Sequence, residues 1–171
     1  MPADKNLFQK YLNPVFIETG SLVGDGIQNA LDTGFKMIYS IELSKALYDI
    51  CVNRFKDNDN VHLIFGDSSK ELSRLLSMIK EPVTFWLDGH YSGGPTAIGD
   101  LDSPLMEELE AISNHPIKNH TLIIDDLRCW TISSHGFDTM SIMKKILTIN
   151  PAYFFIYANG HIENDILIAK I

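Results

Sequence analysis

The run Phe85-Trp86-Leu87-Asp88-Gly89-His90 carries three bulky apolar residues straight into a carboxylate and an imidazole. Such a change marks the end of a buried strand. A carboxylate or imidazole at that point can take a proton or hold a metal ion. The same change recurs along the chain. Ile17 leads into Glu18, Thr19 and Gly20, and Ile41 into Glu42 and Leu43. Phe65 and Gly66 lead into Asp67 and Ser68, and Ile124 leads into Asp125 and Asp126. Asp88, Asp125 and Asp126 form the sharpest group. Carboxylates brought within a few ångströms raise one another's pKa, and a divalent cation with a preference for oxygen ligands removes that penalty. Asp88 and His90 are the candidate bases for a proton-transfer step, and their order stays open.

A second chemical feature is the turn Gly20-Ser21-Leu22-Val23-Gly24-Asp25-Gly26. Its glycine spacing is GxxxGxG, which is not the dinucleotide fingerprint GxGxxG. It follows an apolar run and precedes a helical pattern, the place where a backbone can approach a nucleotide-like ligand closely.

The elements that must position these residues alternate. Apolar runs at 14–20, 36–43, 60–67, 82–89 and 120–126 read as strands, separated by segments of helical period at 26–35, 44–58, the stretch after Asp67, 103–114 and 138–149. Ser44 is placed to cap the second helix; Ser68-x-x-Glu71 reads as a capping box for the third, and Asp67 could itself cap that helix while also serving a ligand. Asn150-Pro151 ends the last helix. Two more runs, 152–158 and 165–171, are joined by too few residues for a crossover and read as an antiparallel hairpin. The expectation is an α/β protein. It is a doubly wound, mostly parallel seven-stranded sheet with helices on both faces and a C-terminal antiparallel hairpin, one domain over residues 1–171. In such sheets ligands bind beyond the carboxyl ends of the strands, where all five parallel strands deliver an acid.

The totals exclude several classes. Of 171 residues, 45% are hydrophobic and 21% charged, which suits a globular domain. No apolar run is long enough to span a bilayer, and the N-terminus lacks a secretory core, so no membrane partner and a cytoplasmic location are expected. A net charge of −8 without a basic stripe argues against a nucleic-acid partner. Cys51 and Cys129 make neither a zinc spacing nor a CxxC pair, and read as plain thiols.

The glycine turn, the acid of Tyr39-Ser40-Ile41-Glu42, the acid of Phe65-Gly66-Asp67, and the pair Asp88 with Asp125-Asp126 resemble S-adenosylmethionine-dependent methyltransferases of the doubly wound (Rossmann-like) type. The resemblance runs from Val15 to Ile171 and is closest to metal-dependent small-molecule O-methyltransferases of the macrocin type. It implies S-adenosyl-L-methionine as methyl donor, bound by Glu18, Thr19, Gly20, Ser21, Gly24, Gly26, Glu42, Leu43, Asp67, Ser68 and Asp88. Glu42 would take the ribose hydroxyls and Asp67 the adenine side. It implies Mg2+ or another divalent cation on Asp88, Asp125 and Asp126, and a small-molecule or sugar hydroxyl as acceptor. Residues 90–102 and 127–137, with Tyr91, Arg128, Trp130 and His135, would form the acceptor walls. His90 stands where the macrocin group often carries a second acid. With few residues ahead of the first strand, a partner subunit in a homodimer could cover the site. Two other readings remain: a cofactor-binding module without catalysis, and a Mg2+-dependent hydrolase on the same kind of sheet.

Overall fold

In the computed structural model the described residues are 5–89 and 103–171. His90 and Tyr91 lie outside them. The element order is α1 (Lys5–Lys10), β1 (Val15–Thr19), α2 (Asp25–Thr33), β2 (Met37–Glu42), α3 (Lys45–Phe55), β3 (Val61–Phe65), α4 (Ser68–Leu76), β4 (Val83–Leu87), α5 (Leu105–Asn114), β5 (Thr121–Ile124), α6 (Ile132–His135), α7 (Thr139–Ile149), β6 (Phe154–Ala158) and β7 (Ile166–Lys170). The strands form one sheet in the order β3-β2-β1-β4-β5-β7-β6. Strands β1 to β5 are parallel, and β7 runs antiparallel to both β5 and β6. The expected architecture is therefore present, with β7 inserted between β5 and the edge strand β6.

Alternation along the central strands sorts two cores. Ile17, Phe85, Leu87, Leu122 and Ile124 face α4, α5 and α7, where Leu72, Leu109, Ile142 and Ile146 meet them. Phe16, Trp86, Ile123 and Ile38 face the other layer and pack on Phe8, Ile27 and Cys51 of α1, α2 and α3. Five of five residues are buried in both β1 and β4, because each face is covered. Burying each large side chain contributes about 1.5–3 kcal/mol, so the two core layers hold β1 and β4 firmly at the centre. Helix α1, which the sequence pattern did not announce, inserts Phe8 edge-on against Phe16 and Trp86, at 4.8 and 5.7 Å between ring centroids.

Of the two caps open for α4 the structure uses Asp67, and the Ser44 cap of α3 lacks its side-chain bond. Asp67, not Ser68, caps α4: its carboxylate accepts from the Ser69 N–H at 3.0 Å and the Ser69 hydroxyl at 2.7 Å. Ser68 is thereby the first helical residue, its hydroxyl is turned elsewhere, and Glu71 pairs with Arg74 instead of closing a capping box. Ser44 does occupy the cap position of α3, but its side chain makes no cap bond. Glu42 takes the Ser44 N–H in its place, at 2.7 Å. Among the described residues no helix is long and apolar enough to cross a membrane.

Candidate functional site

Strand order reverses between β1 and β4, and the register sets Thr19 beside Leu87 and Ile41. The residues that follow these three, Gly20, Asp88 and Glu42, therefore meet at one crevice. Gly20 has φ +86°, and a Cβ there would lie 2.8 Å from the Asp88 carbonyl oxygen, so only glycine lets the two backbones approach this closely. Gly24 precedes α2, and Gly26 sits in its first turn. A Cβ on Gly26 would stand 1.8 Å from Glu18 Oε1, which makes the third glycine a space requirement of the buried acid behind it.

Glu18 is the most perturbed acid of the rim. Burial pushes it from its ordinary value to about 8; the Ser40 hydroxyl opposes this, and Asp88, Glu42 and Asp25 add to it by like-charge repulsion. Ser40 Oγ donates to Glu18 Oε2 at 2.7 Å and lies 2.6 Å from Ser21 Oγ. Burial outweighs this hydroxyl chain and favours the protonated carboxyl near neutral pH. Ser40 was not singled out from sequence, because a serine inside a strand carries no distinctive signal.

Glu42 is buried and holds the glycine turn as well as α3. One oxygen accepts from the Leu22 N–H at 3.0 Å, the other from the Ser44 N–H. Each oxygen retains a lone pair for a further donor. Leu22 reaches this bond with φ +48°, a left-handed conformation that costs of order 1 kcal/mol and fixes the turn. Leu43 is half-buried beside it, and Asp67 is half-buried at the start of α4. Ser68 points inward and donates to Glu108 Oε1 at 2.6 Å.

At the other side of β4 the acids crowd together. Asp125 is pushed to about 7 by burial first and then by Asp88 and Asp126. Its Oδ1 accepts from the Asp126 N–H at 2.8 Å. Ligand oxygens of Asp125, Asp126 and Asp165 all lie within 4.8 Å of one another. Asp165, which immediately precedes β7, completes this group of three, where the sequence reading set Asp88 beside Asp125 and Asp126. Asp88 is coupled to Asp125 electrostatically but is not in this tight group. The sequence reading sampled only the carboxyl ends of parallel strands. Because β7 is antiparallel, its beginning lies on the same edge, and Asp165 escaped notice.

Arg128 bridges Asp126 and Asp165 with one guanidinium nitrogen. Asp165 is also tied down by the Arg128 and His161 N–H groups, each at 3.1 Å. Trp130 is buried, donates to the Asp125 carbonyl at 3.1 Å and stacks on Phe137 with centroids 5.6 Å apart. Arg128 and Trp130 therefore organise the acid cluster and the core. The Cys51 thiol, buried against the Leu22 carbonyl, is pushed to about 12 and is no nucleophile.

Comparison with known proteins follows this geometry. No family model matches the chain, and no curated protein does. Solved structures do match over nearly the whole chain. An O-methyltransferase from Bacillus cereus in complex with SAH superposes with a TM-score of 0.66 at 14% identity, covering 98% of this chain and 78% of the other. The SAH-bound methyltransferase PaMTH1 of Podospora anserina gives 0.66 at 11%, covering 97% and 75%. The chain has the fold of the S-adenosylmethionine-dependent methyltransferases. An rRNA methylase from Streptococcus thermophilus shares this methyltransferase fold with a TM-score of 0.59 at 13% identity, covering 97% of this chain and 93% of the other. In a methyltransferase fold the β1/β4 crevice is the topological switch point, where the glycine turn, Glu42 and Asp88 converge.

Proposed function

We propose that this protein is an S-adenosylmethionine-dependent O-methyltransferase acting on a hydroxyl of a small molecule or sugar, with a divalent cation such as Mg2+ assisting. The observation that carries the reading is the convergence of the Gly20–Gly26 turn and Glu42 at one crevice with Asp88 and Asp125 on the next strands. Glu42, already oriented by two backbone N–H groups, suits a pair of ribose hydroxyls. Asp67 and Ser68 at the start of α4 flank the place for the base. Bound there, the donor supplies a methyl group on a sulfonium, open to in-line displacement by an oxygen.

The acceptor hydroxyl needs a fixed position and a route for its proton. Positioning alone can contribute up to roughly 7–11 kcal/mol in well-oriented reactions. A base at the rim adds about 10²–10⁴-fold, and Asp88 and His90 are its candidates. The buried all-oxygen set of Asp125, Asp126 and Asp165, with Asp88 adjacent, fits a hard cation in its chemistry. Such an ion would supply a Lewis acid that makes a bound hydroxyl more acidic. Arg128 already balances part of that charge and must share the acids with the ion.

The length match to an rRNA methylase favours a second acceptor class, RNA. The net charge of −8 speaks against it. Calorimetric titration with S-adenosylhomocysteine, with and without Mg2+, tests the donor and the ion together. Affinity for phosphate esters with none for S-adenosylhomocysteine would establish the hydrolase reading. Methyl transfer to a hydroxyl library and to RNA, each with and without EDTA, assigns the acceptor and the metal. Donor binding with no turnover on either would leave a binding module.

A further inference from the structure

Glu108 lies apart from the rim acids, on the inward face of α5, and is buried. We infer that Glu108 is a positioning residue for the donor site, a single carboxyl that anchors the start of α4 and packs beneath Gly89 and the end of β1; the inference rests on the methyltransferase reading. Its Oε1 accepts from Ser68 Oγ at 2.6 Å, which anchors the first residue of α4 behind Asp67. A Cβ on Gly89 would lie 3.2 Å from the same oxygen and 3.3 Å from Thr19 Oγ1. The carboxyl, the end of β1 and the residue after Asp88 therefore share one small space. Thr19 Oγ1 is fully buried there and closes no hydrogen bond of good geometry, so this space has a polar group to spare for the carboxyl. A recess lined by Leu87, Gly89, Pro104, Glu108 and Trp130 opens beside it.

The electrostatics are consistent with a sensitive support. Burial raises Glu108 to about 7, the Ser68 and Thr19 hydroxyls oppose this, and the acids Asp67 and Glu107 add to it. Asp67 and Ser68 face it from the start of α4, Thr19 from β1 and Glu107 from its own helix. A carboxyl that changes charge near neutrality alters its pull on Ser68, and with it the seat of the donor's adenosyl half. Glu108 escapes a sequence reading because it sits in an ordinary amphipathic helix, one position after another glutamate.

The test is calorimetry with S-adenosylhomocysteine on wild type, E108A and E108Q from about pH 6 to about pH 8, which brackets the Glu108 value of about 7. E108A should weaken binding about tenfold or more, whereas E108Q, neutral and still able to accept from Ser68, should stay within about threefold at its best pH. Wild-type affinity should change across the range, and E108Q should lose the part of that change centred near pH 7 that Glu108 contributes, keeping what Glu18 and Asp125 contribute. With a methyl acceptor in hand, E108A should raise KM for the donor and leave kcat at saturation nearly unchanged. If E108A does not fold, the E108Q profile decides alone. Equal affinity of E108A and wild type, or the same pH profile for E108Q and wild type, would overturn the inference. Failure of the wild type to bind S-adenosylhomocysteine at any pH would overturn the donor-site reading itself, and this one with it.

Discussion

The two edges of the sheet hold buried titratable groups in opposite ways. At the carboxyl edge Glu18, Asp125 and Glu108 are raised by burial and by neighbouring acids, and among the described residues none of the three has a basic side chain as its direct partner. At the amino edge two histidines are buried and fully ordered. The Val83 N–H donates to His120 Nδ1 at 3.1 Å, so His120 Nε2–H faces His115 Nδ1 at 3.0 Å, and His115 Nε2–H donates to the Ile79 carbonyl at 3.1 Å. Only one arrangement of protons satisfies this chain, and both rings are neutral in it. One edge is thus built for stability, with both ring nitrogens of each buried histidine paired. The other keeps acids in an environment that disfavours their charge, the pattern of a functional rim.

The sharpest way to break this contrast is at the third glycine. Gly26→Ala would force a methyl group against the Glu18 carboxyl. Overpacking of this kind costs about 1–3 kcal/mol, and displacement of the turn should weaken S-adenosylhomocysteine binding by about tenfold or more in calorimetry. An unchanged affinity would detach the glycine turn from the donor site. The corresponding change at the quiet edge is His115→Ala. It strands the His120 N–H and should cost about 1–3 kcal/mol in urea unfolding, with donor affinity intact. Loss of donor binding by this variant would show that the edges are not independent.

Arg128→Met probes the acid cluster. Asp126 and Asp165 lose their cation, so Mn2+ titrated into the protein should bind about tenfold tighter than to wild type, unless the ion never enters among these acids. In the pH dependence of stability the edges should oppose each other. Glu18, raised to about 8, contributes fully below its unfolded value of 4.5 and loses that contribution as pH rises toward 8. His120, lowered to about 4 by burial and by His115, contributes fully above 6.5 and loses it as pH falls toward 4. Urea unfolding across this range should show both arms, and Glu18→Gln should make the alkaline arm shallower without touching the acid arm, the remainder coming from Asp125 and Glu108. A slope on that arm unaltered in Glu18→Gln would remove Glu18 from the account.

Much of this was legible in the residue order. Strand alternation, the hairpin at the end and the acids at five strand ends follow from local periodicity and from the rule that polar residues collect where a buried strand stops. For α4 the residue order offers two caps, Asp67 and the Ser68-x-x-Glu71 box, and the structure uses Asp67. Asp and Ser are both good caps, and only the backbone shows which carboxylate or hydroxyl reaches Ser69 N–H.

By itself, then, the sequence determined the sheet, its layers and the row of acids along one edge, because these depend on patterns within a few residues. Only the tertiary structure decided which acids meet. It brought Asp165 to Asp125 by running β7 backwards, seated Arg128 between two of them, turned Glu108 under Gly89 and joined His115 to His120. Such pairings depend on strand order and helix packing across 5 to 40 positions of chain, and local pattern carries no record of them.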